Sequence, residues 1–111
     1  MVVLPVEIDA VCAGRVGEEI VAALDEGVTV LVADLSGTAF CDSSGVRMLV
    51  GAYHAAVGNG TELRLVVPAT SVRRVFELMG VDALLTVYPT LGEAMAGAPG
   101  GSAEESGASS A

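Results

Sequence analysis

The chain contains no lysine and no tryptophan; its basic residues are Arg15, Arg47, Arg64, Arg73 and Arg74. Without lysine there is no P-loop phosphate clamp, no Schiff-base nucleophile and no lysine of the kind that completes a phospho-aspartate receiver. Histidine occurs once, at His54, and cysteine twice, at Cys12 and Cys41. That is too few for a disulfide scaffold, a Cys-only zinc site or a metal cluster. Both cysteines read as small buried hydrophobes in a reducing compartment. No cofactor is expected.

Aromatic residues make up only 4% of the chain, while 52% of it is hydrophobic. The core must therefore be built from Val, Leu, Ala and Ile, which suits a parallel sheet covered by helices. A mean hydropathy of +0.65 argues for a well-buried core rather than disorder. With 111 residues the chain is one domain. Long uncharged runs are also missing. A membrane-spanning helix needs about 20 apolar residues, and Asp25, Glu26, Asp34, Asp42 and Arg47 interrupt every long window. Glu7 and Asp9, with no basic residue near the N-terminus, do not resemble a signal peptide. The expectation is a soluble, cytoplasmic protein.

Positive charge is scarce. Fourteen acidic residues against five basic ones give a formal net charge of -9. Nucleic-acid binding needs a concentrated basic surface, which this balance disfavours. It is compatible with steering toward a basic protein partner and equally with simple solubility.

What is present is an alternation of apolar runs and helical periodicity. Residues 1–8 read as a strand, with Pro5 tolerated near an edge. Val16, Ile20, Ala23 and Leu24 define one helical face, and Gly27 sits where a C-cap glycine belongs. Residues 28–33 read as a strand. A polar loop follows and turns into a central helix at Asp42-Ser43-Ser44, whose apolar stripe is Val46, Leu49, Val50, Tyr53 and Val57. Gly58-Asn59-Gly60 ends that helix; it is no dinucleotide fingerprint, since a strand follows. The strand Leu63–Val67 leads through Pro68 to a helix capped by Thr70 or Ser71, with Val72, Val75, Phe76 and Met79 inside and Arg73, Arg74 and Glu77 on a solvated face. Leu84–Tyr88 reads as the last strand, and Thr90-Leu-Gly-Glu93 has capping-box spacing ahead of a short helix. The result is an α/β domain over 1–96, a mostly parallel sheet of about four strands flanked by about four helices. Residues 97–111 contain only Gly, Ala, Ser, Pro and Glu and are expected to form a disordered tail.

Catalysis finds little support. Ser44 and His54 lie ten positions apart on one helix, about 15 Å at 1.5 Å per residue. A nucleophile and its base must approach to about 3 Å, so no Ser–His pair can form. Cys41 has no better partner. Asp34 and Asp42 would be a carboxylate pair without a visible cleft. No enzymatic activity is expected.

The helix start at Asp42-Ser43-Ser44 is the stretch that asks for a function. Helix N-termini present free N–H groups and favour anions. Asp42 and Ser43 are each good N-cap types. Ser44 falls in the first turn whichever neighbour caps, and is expected to be exposed to a kinase. A phosphate there would add roughly -1.5 to -2 charges and three acceptor oxygens. Asp42 would repel part of that charge, and a partner docked on the loop would be expelled.

The run from Val30 through Asp34-Leu-Ser-Gly-Thr38-Ala-Phe-Cys-Asp42-Ser-Ser-Gly45 resembles the signature of the STAS domain, shared by sulfate-transporter tails and anti-sigma-factor antagonists. The resemblance continues through Leu49–Tyr53, Leu63–Val66 and Val72–Asp82. It implies a bacterial partner switch in transcription regulation under stress. The unphosphorylated protein would bind an anti-sigma factor that is also a serine kinase and so release a sigma factor. Phosphorylation would break that complex and a phosphatase would restore it. ATP and magnesium would belong to the kinase.

By the same resemblance the acceptor is Ser44, with Ser43 the neighbouring alternative. Thr38, Asp42, Ser43, Ser44, Gly45 and Arg47 are the expected partner-binding residues. The other expectation is a STAS binding module that is never phosphorylated, in a signalling scaffold or a lipid-transport complex. Two departures from the family pattern are visible. The family usually has a further strand ahead of residues 1–8, so an unpaired edge open to self-association is expected. A glycine common just before the Glu-x-Asp run is replaced by Val6.

Overall fold

The computed structural model describes residues 1–97. In chain order the elements are β1 (Val2–Val3), β2 (Glu7–Ile8), α1 (Ala13–Leu24), β3 (Val30–Asp34), β4 (Phe40–Cys41), α2 (Ser43–Gly58), β5 (Glu62–Val66), α3 (Thr70–Leu78), β6 (Thr86–Tyr88) and α4 (Leu91–Ala96). Four strands form a sheet in the order β1-β3-β5-β6, all parallel, and β2 and β4 form a separate parallel pair. The α/β class, the parallel sheet and the four helices are as the sequence pattern predicts.

The two faces of the sheet are buried differently. Leu31, Ala33, Leu63 and Leu65 point to one face, where Val16, Ile20 and Leu24 of α1, Val46 and Leu49 of α2, and Val72 and Phe76 of α3 complete the main core. The alternate residues Val32 and Val66 join Tyr88 and Ala94 in a smaller cluster on the other face, under α4. Strand alternation thus divides the consecutive apolar residues Leu31, Val32 and Ala33 of β3, and Leu65 and Val66 of β5, between two cores.

Several elements differ from the sequence reading. Residues 1–8 are two strands, because Pro5 has no N–H to continue a ladder. The chain changes partner there: the Leu4 amide donates to the Asp34 carbonyl at 2.9 Å, whereas the Val6 carbonyl accepts from Ala39 at 2.8 Å and Phe40 at 3.2 Å. β1 is an outer strand of the sheet, and its two residues, with Pro5 two positions beyond, make it a short edge. The polar loop contains β4, which pairs Ile8 with Cys41. β6 begins at Thr86 rather than Leu84.

The buried line of α2 runs through Gly45, Val46, Leu49, Ala52 and Ala56. Val50 and Tyr53 are half-buried and Val57 is 58% exposed. Gly45, Ala52 and Ala56 share the inner line with Val46 and Leu49, so large side chains mark only part of that face. α3 is capped by Ala69 and not by Thr70 or Ser71; no side chain bonds its start. Met79 is its C-cap and is 38% exposed. Arg73 is half-buried, donating to the carbonyls of Val67 and Pro68 at 2.9 and 3.3 Å, and so ties α3 to the end of β5. Thr90 Oγ1 accepts from the Glu93 amide at 3.1 Å, in line with the capping spacing. The expected tail, from residue 98 onward, lies outside the described residues.

Candidate functional site

The site begins where β3 runs out. Asp34 Oδ1 accepts from the Ser36 amide at 2.9 Å and bends the chain out of the sheet. Leu35 is buried and its amide bonds the Val66 carbonyl at 2.8 Å. Thr38 is 2% exposed, and its Oγ1 donates to the Pro5 carbonyl at 2.7 Å. That bond pins the loop to the segment between β1 and β2, and β4 then adds itself beside β2.

Asp42 turns the loop into α2. Its extended backbone (φ -93°, ψ -173°) lets the carboxylate fold back over the helix start. Oδ1 accepts from the amides of Ser44 at 2.9 Å and Gly45 at 3.1 Å. The capping role falls wholly to Asp42. Ser43 is exposed and Ser44 half-buried, and neither hydroxyl has a hydrogen-bond partner among the described residues.

Gly45 explains how α2 comes to start at this spot. A Cβ there would lie 2.8 Å from Ile8 Cγ2 and 3.0 Å from the Ile8 carbonyl oxygen. The first turn of α2 therefore rests directly on the β2–β4 pair. Of the six expected contact residues, Ser43 and Arg47 are exposed, Asp42 and Ser44 half-buried, and Thr38 and Gly45 buried. The last two shape the surface from beneath it.

Phe40, 50% exposed on β4, lies two residues before Asp42 and was not singled out from the sequence. The chain has only two phenylalanines. Since Phe76 completes the inner stripe of its helix, a phenylalanine in a polar loop was the available signal.

The chemistry of the site is that of a surface and not of a reaction centre. Burial, with the Asp42 carboxylate and Cys12 adding to it, pushes the Cys41 thiol up to about 11, so it stays protonated at neutral pH. Cys12 Sγ donates to the Glu7 carbonyl at 3.2 Å. His54 is exposed on α2, its ring edge-on to Tyr53 at 5.4 Å. Among the described residues no group of three His, Cys, Asp or Glu side chains could hold a metal ion. No described helix is long and apolar enough to cross a membrane.

A family model for the STAS domain matches residues 1–94. The chain belongs to the STAS domain family. It is 33% identical over 95 residues to the anti-sigma-F factor antagonist RsfB of Mycobacterium tuberculosis, covering 86% of this chain and 77% of RsfB. The crystal structure of an anti-sigma factor antagonist from Mycobacterium paratuberculosis superposes with a TM-score of 0.73 at 33% identity, covering 81% of this chain and 76% of that one. The anti-sigma factor antagonist SpoIIAA is similar in its unphosphorylated form, with a TM-score of 0.69 at 26% identity over 84% of this chain and 81% of SpoIIAA. In its phosphorylated form, the Bacillus cell fate determinant SpoIIAA gives 0.61 at 25% identity over 85% of each chain. As a STAS domain of this antagonist group, the chain is a regulatory binding protein and not an enzyme.

Proposed function

We propose that this chain is a cytoplasmic anti-sigma factor antagonist that works as a partner switch, with Ser44 as its phosphoacceptor. The unmodified protein binds an anti-sigma factor that is also a serine kinase. Transfer of the γ-phosphoryl group from the kinase's ATP to Ser44 Oγ releases ADP and breaks the complex; a phosphatase reverses the change. The observation that carries this reading is the unbonded Ser44 hydroxyl on a helix start already capped by Asp42. A phosphate added there breaks no hydrogen bond of the fold. It adds roughly -1.5 to -2 charges beside Asp42, a local change of charge and bulk that needs no refolding. The antagonists RsfB and SpoIIAA, the latter known with and without phosphate, support the reading.

The test is peptide mass spectrometry on protein recovered from its native cells, with and without stress, alongside co-purification with Ser44→Ala. A single phosphate on Ser44 whose occupancy follows conditions is the expected result. Ser44→Ala then retains the anti-sigma factor and Ser44→Glu retains less of it. Phosphate on Ser43 instead would move the acceptor by one residue. If neither serine is ever modified, the protein is a constitutive STAS binding module.

A further inference from the structure

Arg47 stands in the first turns of α2, three residues beyond Ser44 and four beyond Ser43. On a helix those offsets put side chains on one face, with Cβ atoms about 5–6 Å apart. Arg47 is exposed and, like Arg15 and Arg74, has no hydrogen-bond or ion-pair partner among the described residues, whereas Arg64 is held by Glu62 at 3.0 Å and Arg73 by backbone carbonyls. The nearest carboxylate in sequence, that of Asp42, is taken up by the Ser44 and Gly45 amides. Of these three arginines without a partner among the described residues, Arg47 is the one on the helix that carries Ser44. It lies one turn from the hydroxyl proposed to take up charge.

We propose that Arg47 couples the chemical state of Ser44 to partner binding, a reading that rests on the switch proposed above. In the unmodified protein the guanidinium is offered to an acidic group of the partner. Once Ser44 carries phosphate, Arg47 folds back onto it and is withdrawn from the interface. The fork of N–H donors in arginine matches phosphate oxygens bidentately, and two charged groups one helical turn apart pair without ordering any further chain. The local charge argues the same way. Asp42 and Arg47 cancel before modification, and afterwards Arg47 offsets part of the repulsion between phosphate and Asp42. One cation thus stabilises the modified form and is lost to the partner at the same time.

The decisive experiment uses the full chain with phosphoserine encoded at position 44 during translation, so that no kinase is needed, and with 15N-labelled arginine. Five arginines and no lysine give a sparse side-chain spectrum. The Arg47 Nε–Hε signal, identified by its loss in Arg47→Gln, is expected to move downfield and exchange more slowly with water when position 44 is phosphorylated. Arg74→Gln, which removes an exposed charge from α3, should leave that shift intact. If no arginine signal responds, or if the response survives Arg47→Gln, the proposal is overturned.

A binding measurement with the anti-sigma factor recovered on Ser44→Ala separates this proposal from the one beneath it. Arg47→Gln should weaken binding of the unmodified protein on the order of tenfold, and reduce the loss caused by phosphate by a similar factor. Arg47→Lys, which keeps the charge without the fork, should recover part of both effects. If phosphate at position 44 leaves affinity unchanged while the Arg47 signal still moves, the switch itself fails and the coupling falls with it. If the switch works and Arg47→Gln alters neither affinity, only the coupling fails.

Discussion

A Cβ placed on Gly45 would lie 2.7 Å from the Sγ of Cys41, closer than side-chain carbons approach sulfur in a folded protein. The carbonyl oxygen of Ile8, 3.0 Å away, is backbone and has no rotamer through which to yield. Gly45→Ala should therefore destabilise the protein by about 1–3 kcal/mol, the usual cost of overpacking. Gly51, on the same helix, has nothing within 4 Å of its virtual Cβ. Gly51→Ala should stabilise by about 0.5–1 kcal/mol through helix propensity alone. Urea midpoints at unchanged slope measure both changes. Equal signs for the two variants would show that the contact beneath Gly45 is slack.

Thr38 is the strut of the loop. Its buried hydroxyl meets the Pro5 carbonyl across 33 positions of sequence. Thr38→Val keeps the shape and leaves that carbonyl without its donor, a loss of about 1–3 kcal/mol. Hydrogen exchange should show where the loss falls: the amides of Ala39 and Phe40, which bond the Val6 carbonyl, should open sooner than those of β5. Uniform loosening would mean that the loop is held by its other contacts.

The parts of this fold that a reader of the sequence could find are those with a period. Val30 to Ala33 is an apolar run, Leu63, Leu65 and Val66 are apolar around a single Arg64, and Val72 with Phe76 marks a helix face; the structure uses all of them as such. The helix start at Asp42 was legible because Asp, Ser and Gly are there for stereochemical reasons. β2 and β4 were not legible, since two-residue strands carry no alternation to detect. Nor was the tilt of α2, whose inner line passes through Gly45, Ala52 and Ala56; hydrophobic size does not register residues buried because they are small. The Ala69 cap gave no side-chain signal at all.

Cys41 should make the protein sensitive to alkali. Burial raises its thiol from 9.0 to about 11, so the folded state holds a proton that the unfolded chain gives up first. The stabilising contribution is complete below pH 9 and disappears as pH rises toward 11. Between pH 8 and 10 the loss is about 1 kcal/mol by linkage. Urea unfolding at the two pH values measures it, with Cys41→Ala as the reference that lacks this component and so isolates it from the tyrosines. At pH 8 the half-buried Cys12 should alkylate well ahead of Cys41, as read by intact mass. Comparable rates at the two thiols would mean that β4 opens readily.

The division of labour at the start of α2 can be measured with three variants. Asp42 Oδ1 serves two helix-start amides, whereas Ser43 Oγ serves none among the described residues. Asp42→Ala should cost about 1–2 kcal/mol, the range for loss of a good N-cap. Ser43→Ala should stay within about 0.5 kcal/mol of the native protein, as an exposed position without a partner does. Asp42→Asn supplies the remaining comparison, because asparagine caps about as well as aspartate and lacks the charge. Its stability should fall within about 0.5 kcal/mol of native if the cap works through hydrogen bonds; a loss as large as that of Asp42→Ala would assign the effect to the carboxylate's charge at the positive end of the helix. Should Ser43→Ala cost as much as Asp42→Ala, the serine shares the cap, and Ser44 would be left as the one spare hydroxyl of this turn.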